Sequence, residues 1–195
     1  MKQKVDFLFR YEHKVRELET ISLLRIELER RGYSVAFVGN YEYKPTIEYQ
    51  PKVFISPAIY SNVHLKGDIL RYGKMKKVAN LLWEQVFTQE NEADPNFPQN
   101  VVGIGARALN LCWGDQSRDR IVRGGANPHS SIVVGQVNQD LLKGNFKKTL
   151  KSKETLASAY GLDSSKQWQL FVSSFAYCDM DQLQVDMIIK YYGAS

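Results

Sequence analysis

The chain has 195 residues, of which 44% are hydrophobic and 24% are charged. These values are usual for globular proteins and exclude a disordered chain, a collagen-like fibre and a coiled-coil rod. The length favours one complete domain with an appendage over two full domains. The 26 lysines and arginines exceed the 21 aspartates and glutamates, which gives a net charge of +5 with no long basic run. The charge therefore favours anionic partners without identifying one.

Cysteine and histidine are too few and too scattered to predict a disulfide framework or a metal site. Cys112 and Cys178 each lie among apolar or aromatic neighbours, which indicates two reduced, buried thiols. No Cys-x-x-Cys pair occurs and the three histidines are far apart, so we expect no structural metal. The first apolar stretch is too short for a signal peptide, and no window approaches the roughly 18 apolar residues of a membrane-spanning helix. We therefore expect a cytoplasmic protein and leave contact with the inner face of the membrane open.

Short apolar runs alternate with segments of helical period along most of the chain. A strand is predicted at 4–10, followed by a helix at 15–31 that stops at Gly32. Further strands are predicted at 34–39, 52–56, 78–83, 108–113 and 131–135, with helices at 61–73 and 116–124. Strands that alternate with helices predict an α/β fold, namely a Rossmann-like, doubly wound parallel sheet.

The C-terminal part has a different composition. It becomes lysine-rich after Asn138, and it contains a predicted helix at 154–160 closed by Gly161, a strand at 168–176 and a helix at 181–192. A polar stretch at 88–100, with two prolines, is predicted to be a loop outside the sheet. We therefore place one Rossmann-like domain at 1–140. Residues 141–195 contain too few elements for a second α/β domain of their own.

Four segments of the sequence are similar to one family of enzymes. They are VDFLFRYEHKVRELETISLLRIELERRGYSV at the start, VANLLWEQ at 78–85, SSIVVGQVNQDLL at 130–142 and SKETLASAYGLDSSKQWQLFVSSFA at 152–176. Through them the chain resembles the N-terminal half of the GT-B-fold glycosyltransferases of bacterial surface polysaccharide biosynthesis. It resembles more distantly the glycerophosphotransferases that build teichoic acids. The resemblance implies transfer of a sugar from a nucleotide donor to a surface glycan, with no cofactor and no metal.

The resemblance also implies the partners of the chain. They are a nucleotide sugar and a glycan acceptor, without nucleic acid, and a homodimer through the C-terminal segment is left open. In this family the first domain takes the acceptor and the second holds the donor. The resemblance therefore implies that 141–195 form a linker and the truncated beginning of the donor-binding domain, and that the chain is an N-terminal fragment that is inactive by itself. Gln136, Val137 and Asn138 stand where family members usually carry proline and arginine. The alternatives are a polyol-phosphate transferase and a non-catalytic nucleotide- or glycan-binding module.

Glu84 is the first catalytic candidate. It directly follows the apolar run 78–83, which places it at the predicted carboxyl edge of the sheet, where open α/β sheets bind ligands. An inverting transfer requires a base that takes a proton from the acceptor hydroxyl. The alternative is a carboxylate that pairs with a lysine or caps the next loop. Gln85 and Trp83 are candidate substrate-binding residues beside it, the tryptophan either as a platform for a sugar or as a core residue.

His13 and Asp115 are two further catalytic candidates near strand ends. His13 lies in the turn after the first strand, where it is either a base, an orienting residue or a solvated side chain. Asp115 follows a predicted strand at a helix start, where it is either a site residue or the N-cap, with Ser117 as the rival cap.

The remaining candidates are expected to bind substrate or phosphate. Arg10 ends the first predicted strand, and Ser173 and Ser174 lie near the end of the strand at 168–176. The resemblance places the two serines near the donor phosphates, which backbone amides and hydroxyls suit. Arg120 and Arg123 share one helix face, which either meets a phosphate or is solvated, and we favour the solvated face.

Overall fold

A computed structural model describes residues 2–39, 48–60, 62–73, 75–83, 85, 90, 101–171, 182 and 186. The chain divides into two compact units, Met1–Thr149 and Leu150–Ser195. The division lies beyond the boundary at residue 140 that we predict from the sequence. Among the helices of the described residues, none has the length and apolarity that crossing a membrane requires.

The first unit is built on a parallel sheet of six strands. They are β1 (Gln3–Tyr11), β2 (Val35–Gly39), β3 (Tyr49–Ser56), β4 (Lys77–Asn80), β5 (Leu109–Cys112) and β6 (Ser131–Val133). Their order in the sheet is β2-β1-β3-β4-β5-β6, and every neighbouring pair is parallel. The main helices are α1 (Lys14–Arg30), α2 (Asn62–Tyr72) and α3 (Asp115–Arg123), with 3-10 helices at Gly103–Arg107, Pro128–Ser130, Val137–Leu142 and Gly144–Thr149. The predicted α/β class and doubly wound parallel sheet are confirmed.

The central strands bury both of their faces. On one face Phe9 of β1 packs in a cluster with Ile21 of α1. On the other face Leu8 of β1 packs with Tyr72 of α2, and Cys112 of β5 packs with Ile121 of α3. Cover on both faces explains why these strands are continuous apolar runs in the sequence, without alternation.

The predicted end of the fourth strand is wrong. The apolar run continues to residue 83, but β4 ends at Asn80, and Leu82 has a φ of +51° in the left-handed region. The Asn80 side chain holds this turn, since its Oδ1 accepts from the Ile59 N–H at 3.0 Å and the Leu82 N–H at 3.4 Å. Leu81, Leu82 and Trp83 remain buried after the turn. Their apolarity reflects burial in the core and not membership of the sheet.

In the second unit, Lys153–Tyr160 form the helix α4, and the described residues 182 and 186 are also helical. The Ser152 Oγ accepts from the Thr155 N–H at 3.2 Å, and Gly161 ends the helix with a φ of +66°. The predicted helix and its glycine stop are confirmed. Residues 168–171 form no strand, and the rest of the strand predicted at 168–176 lies outside the described residues, as do most of the predicted last helix and most of the loop at 88–100.

Candidate functional site

The order of the strands identifies one position for a ligand. β1 lies inside the sheet, with β2 on one side and β3 on the other, so the chain winds in opposite directions from it. Open α/β sheets bind ligands at the carboxyl ends of the strands at such a switch point. In this protein that crevice lies beyond Tyr11 and Ser56, at the ends of β1 and β3. We call it the switch-point edge.

A buried ion pair supports the switch-point edge. The Arg10 Nη1 donates to the Asp68 Oδ1 at 2.5 Å, and its Nη2 donates to the Ser56 Oγ at 2.9 Å. The guanidinium also lies over the Phe54 ring, 5.5 Å from the centroid. Arg10 and Asp68 are 9% and 1% exposed. The pair therefore joins β1, β3 and α2 just below the crevice, and the predicted role of Arg10 toward a substrate stays a prediction.

The turn after β1 presents an exposed imidazole at this edge. His13 is the N-cap residue of α1, and its carbonyl accepts from the Glu17 N–H at 3.0 Å. Its side chain makes no capping hydrogen bond, and it is exposed to solvent. An exposed imidazole at a strand end is a side chain that can act as a general base toward a hydroxyl.

A buried carboxylate that the sequence analysis missed holds this turn. Glu17 is fully buried, with its Oε2 accepting from the Glu12 N–H at 2.8 Å and its Oε1 accepting from the Arg16 Nη2 at 2.7 Å. In the sequence it is one acidic residue among several on a charged helix. The available signal was its place in the first turn of that helix, where a carboxylate can satisfy a backbone N–H.

A second polar network lies between β4 and β5. Gln85 is 2% exposed, and its Nε2 donates to the Leu111 carbonyl at 2.9 Å while its Oε1 accepts from the Trp113 N–H at 2.8 Å. The Asn80 Nδ2 donates to the Asn110 Oδ1 at 3.1 Å. These amides connect the chain after β4 to the end of β5. Gln85, a candidate for substrate binding, is therefore placed in the interior, bonded to backbone.

Trp83 lies in the core and Glu84 lies outside the described residues. Trp83 is 5% exposed and packs in the cluster that contains Phe9 and Ile21. Of its two predicted roles, a platform for a sugar or a core residue, this position corresponds to the core residue. β4 ends at Asn80, so the premise that a strand runs to residue 83 is wrong, and the catalytic role of Glu84 stays a prediction. Ser173 and Ser174 also lie outside the described residues, and their role stays a prediction as well.

Asp115 is not the N-cap of α3, and neither is Ser117. Gly114 occupies the cap position, with Asp115 as the first helical residue. The Asp115 carboxylate is exposed, and its Oδ1 lies 3.2 Å from the Arg118 Nη1. Three strand spacings of about 4.8 Å separate β1 from β5 in the sheet, so the strands that lead to His13 and Asp115 lie roughly 14 Å apart. The structure does not bring these two catalytic candidates together.

Arg120 does not lie on a solvated helix face, contrary to our expectation. It is 2% exposed, whereas Arg123 is exposed. Ser117, Arg120 and Ile121 form the buried stripe of α3. Residues three and four apart lie on one face of a helix, so these three side chains all face the sheet. Arg120 is therefore buried because of its position in the helical repeat, although its side chain is charged.

The buried thiol of Cys112 is poorly suited to nucleophilic chemistry. Burial raises its pKa to about 11, and the charges of Arg118 and Arg120 offset only part of this. Cys178 lies outside the described residues. Within the described part of the chain, no group of three or more His, Cys, Asp or Glu side chains could hold a metal ion.

An open cavity of about 380 Å³ lies at the opposite, amino edge of the sheet, and its lining includes Lys4, Asp6, Ser34, Lys52 and Lys76. Asp6 accepts from the Lys52 Nζ at 2.6 Å and from the Ser34 Oγ at 2.8 Å. These hydrogen bonds, with Lys52 first, hold the pKa of Asp6 well below its usual range. The carboxylate thus ties β1 to β3 and to the start of β2.

Comparisons of the chain with protein-family models, with curated proteins and with solved structures found no significant match. A functional argument therefore depends on the geometry of the switch-point edge and on the resemblance of the four segments.

Proposed function

We propose that the chain is the acceptor-side part of a cytoplasmic GT-B-type glycosyltransferase, which transfers a sugar from a nucleotide donor to a bacterial surface glycan. The observation that carries the proposal is the exposed imidazole of His13, on a turn held by the buried Glu17, at the switch-point edge of a doubly wound sheet. The opening segment that resembles the family contains this turn. Fold alone does not establish function, so the proposal depends on the site.

In the proposed mechanism His13 is the general base. Its neutral imidazole takes the proton of an acceptor hydroxyl as that oxygen attacks the anomeric carbon of the donor sugar. The bond between the anomeric carbon and the phosphate oxygen breaks, and the leaving nucleotide takes the electron pair. Glu17 keeps the turn in place by binding the Glu12 N–H. Glu84 is the competing candidate for the base.

The test is an assay of the intact gene product with a panel of nucleotide sugars and surface glycan acceptors. We expect His13→Ala to lower kcat/KM by about two to four orders of magnitude, as for a positioned base. Its free energy of unfolding should change by less than about 1 kcal/mol, because an exposed side chain without a cap bond is removed. Lys14→Ala is the matched control, since Lys14 is also exposed and comes next in the chain.

The other results would contradict the proposal in different ways. Unchanged turnover in His13→Ala, with a large loss in Glu84→Gln, would assign the base to Glu84. Transfer of a polyol phosphate from a cytidine donor, without transfer of a sugar, would identify a phosphotransferase. Failure of every donor to bind or react would favour a binding module without catalysis.

A further inference from the structure

The outer edge of β6 is open among the described residues. β6 ends the sheet and pairs with β5 alone. Three consecutive apolar side chains at this edge are strongly exposed: Ile132 by 45%, Val133 by 39% and Val134 by 50%. The central strands β1 and β3 bury apolar side chains on both faces, whereas β6 leaves these three exposed. Exposed apolar side chains on an unpaired strand favour association with another strand.

The backbone of β6 offers one residue for pairing on its outer side. The Val134 N–H donates to the Cys112 carbonyl of β5 at 2.9 Å, so Val134 and Ile132 direct their backbone groups inward. Because these directions alternate along a strand, the N–H and the carbonyl of Val133 point outward. The Ser131 N–H is already bound to the Pro128 carbonyl. Val133 is thus the centre of the open edge, and its N–H and carbonyl have no hydrogen-bond partner among the described residues.

We propose that β6 pairs with β6 of a second copy of this chain, antiparallel and centred on Val133. In this register Val133 exchanges two hydrogen bonds with Val133 of the second copy. Ile132 lies opposite Val134 of the second copy, and this contact occurs twice because the interface is two-fold. The axis is perpendicular to the sheet, so each side chain meets its counterpart on the same face. The two sheets join into one of twelve strands, twice the six of one copy.

The charges of the segment favour a second copy as the occupant. A two-fold axis at Val133 brings side chains near the axis close to the same side chains of the second copy, so charges in this short segment would repel each other across the interface. Residues 124–139 contain no aspartate, glutamate, lysine or arginine, in a chain that is 24% charged. β6 also lacks the lysine or proline with which many proteins protect an edge strand. The edge is therefore neutral and self-complementary.

The test measures self-association of the full chain by sedimentation equilibrium. A short strand pair buries little area, so we expect a weak dimer that is visible between about 5 and about 500 µM. Val133→Lys should raise the dissociation constant at least about tenfold, because it places two like charges side by side. Leu70→Lys is the matched control, since it adds the same charge at an exposed apolar position on α2. It should leave the dissociation constant unchanged.

Disulfide trapping tests the register. Opposed residues at the Ile132–Val134 position lie about 4.5 Å apart between Cα atoms, which suits a disulfide. In a Cys178→Ser background, a mixture of Ile132→Cys and Val134→Cys chains should give more crosslinked dimer than either alone. A monomer at every concentration would overturn the proposal. A dimer that persists in Val133→Lys, or equal crosslinking by every cysteine variant, would also overturn it.

Discussion

The two edges of the sheet carry similar ion pairs in different surroundings. At the carboxyl edge Arg10 and Asp68 are 2.5 Å apart, and at the amino edge Lys52 and Asp6 are 2.6 Å apart. The side chains of the first pair are 11% and 1% exposed, whereas those of the second are 64% and 21% exposed. Distance is therefore nearly equal, and burial distinguishes the pairs. The distance between the charged atoms therefore does not by itself tell how much each ion pair contributes to the stability of the fold.

Burial changes what the loss of one partner does. If Asp68 is removed, the guanidinium of Arg10 stays buried without the carboxylate that balances its charge. If one member of the amino-edge pair is removed, water solvates the other at little cost. The carboxyl-edge pair thus links β1, β3 and α2 through buried contacts, whereas the amino-edge pair is a solvent-exposed ion pair.

The largest expected effect is that of Asp68→Ala. It should lower the free energy of unfolding by about 3 to 5 kcal/mol, because Arg10 then stays buried without its partner. Urea denaturation measures it, with Asp6→Ala as the matched control that should cost far less. The double variant Arg10→Met with Asp68→Leu should recover most of the loss. Equal losses in Asp68→Ala and Asp6→Ala would show that burial does not separate the two edges.

The next effect concerns thiol reactivity. Because burial raises the pKa of Cys112 to about 11, its thiolate fraction at pH 8 should be at least about 100-fold below that of a free cysteine. In a Cys178→Ser background, alkylation by iodoacetamide at pH 8 should be slower by at least that factor than alkylation of a cysteine introduced as Gln50→Cys. Gln50 is exposed at the amino edge. Similar alkylation rates at the two positions would show that Cys112 is open to solvent.

The smallest expected effect is the pH dependence that Asp6 contributes. The pKa of Asp6 is lowered in the folded protein, mainly by its hydrogen bond from Lys52, so the folded state binds its proton less readily than the unfolded state. The contribution to stability is fully present above the ordinary carboxyl pKa of about 4 and is lost as the pH falls toward the folded value. Thermal unfolding of the parent and of Asp6→Asn should therefore differ at pH 7 and converge in acid. A constant difference across this range would contradict the assignment.

Local sequence pattern was sufficient for most of the elements. The apolar runs predicted all six strands to within three residues at either end, because strands covered on both faces must be apolar throughout. The fourth strand was extended too far, since Leu81 and Trp83 are as apolar as strand residues but pack in the core after the turn at Asn80. Hydrophobicity reports burial, and burial does not distinguish a strand from an ordered loop.

The candidate site was only partly accessible to such reasoning. Glycine stops and strand ends placed His13 and Arg10 near the carboxyl edge, because parallel strands all end on the same side. The sequence could not show that Glu17 is fully buried against the Glu12 N–H, or that Asp68 pairs with Arg10 across 58 positions of the chain. Nor could it show that Arg120 is buried. Each of these depends on which helix face meets the sheet.

The sequence by itself determined the α/β class, the parallel sheet and the polar turns after its strands. These follow from short-range rules, since periodicity, glycine and chain length act within about ten to twenty residues. The tertiary structure alone decided which of the many charged residues are buried and which strand lies at the outside of the sheet. It also decided which charged residues pair at the carboxyl ends of the strands and which pair at their amino ends. Those properties depend on strand order and on helix packing, which bring together residues far apart in the chain, and a charge changes its energy by several kcal/mol only when packing removes the water around it.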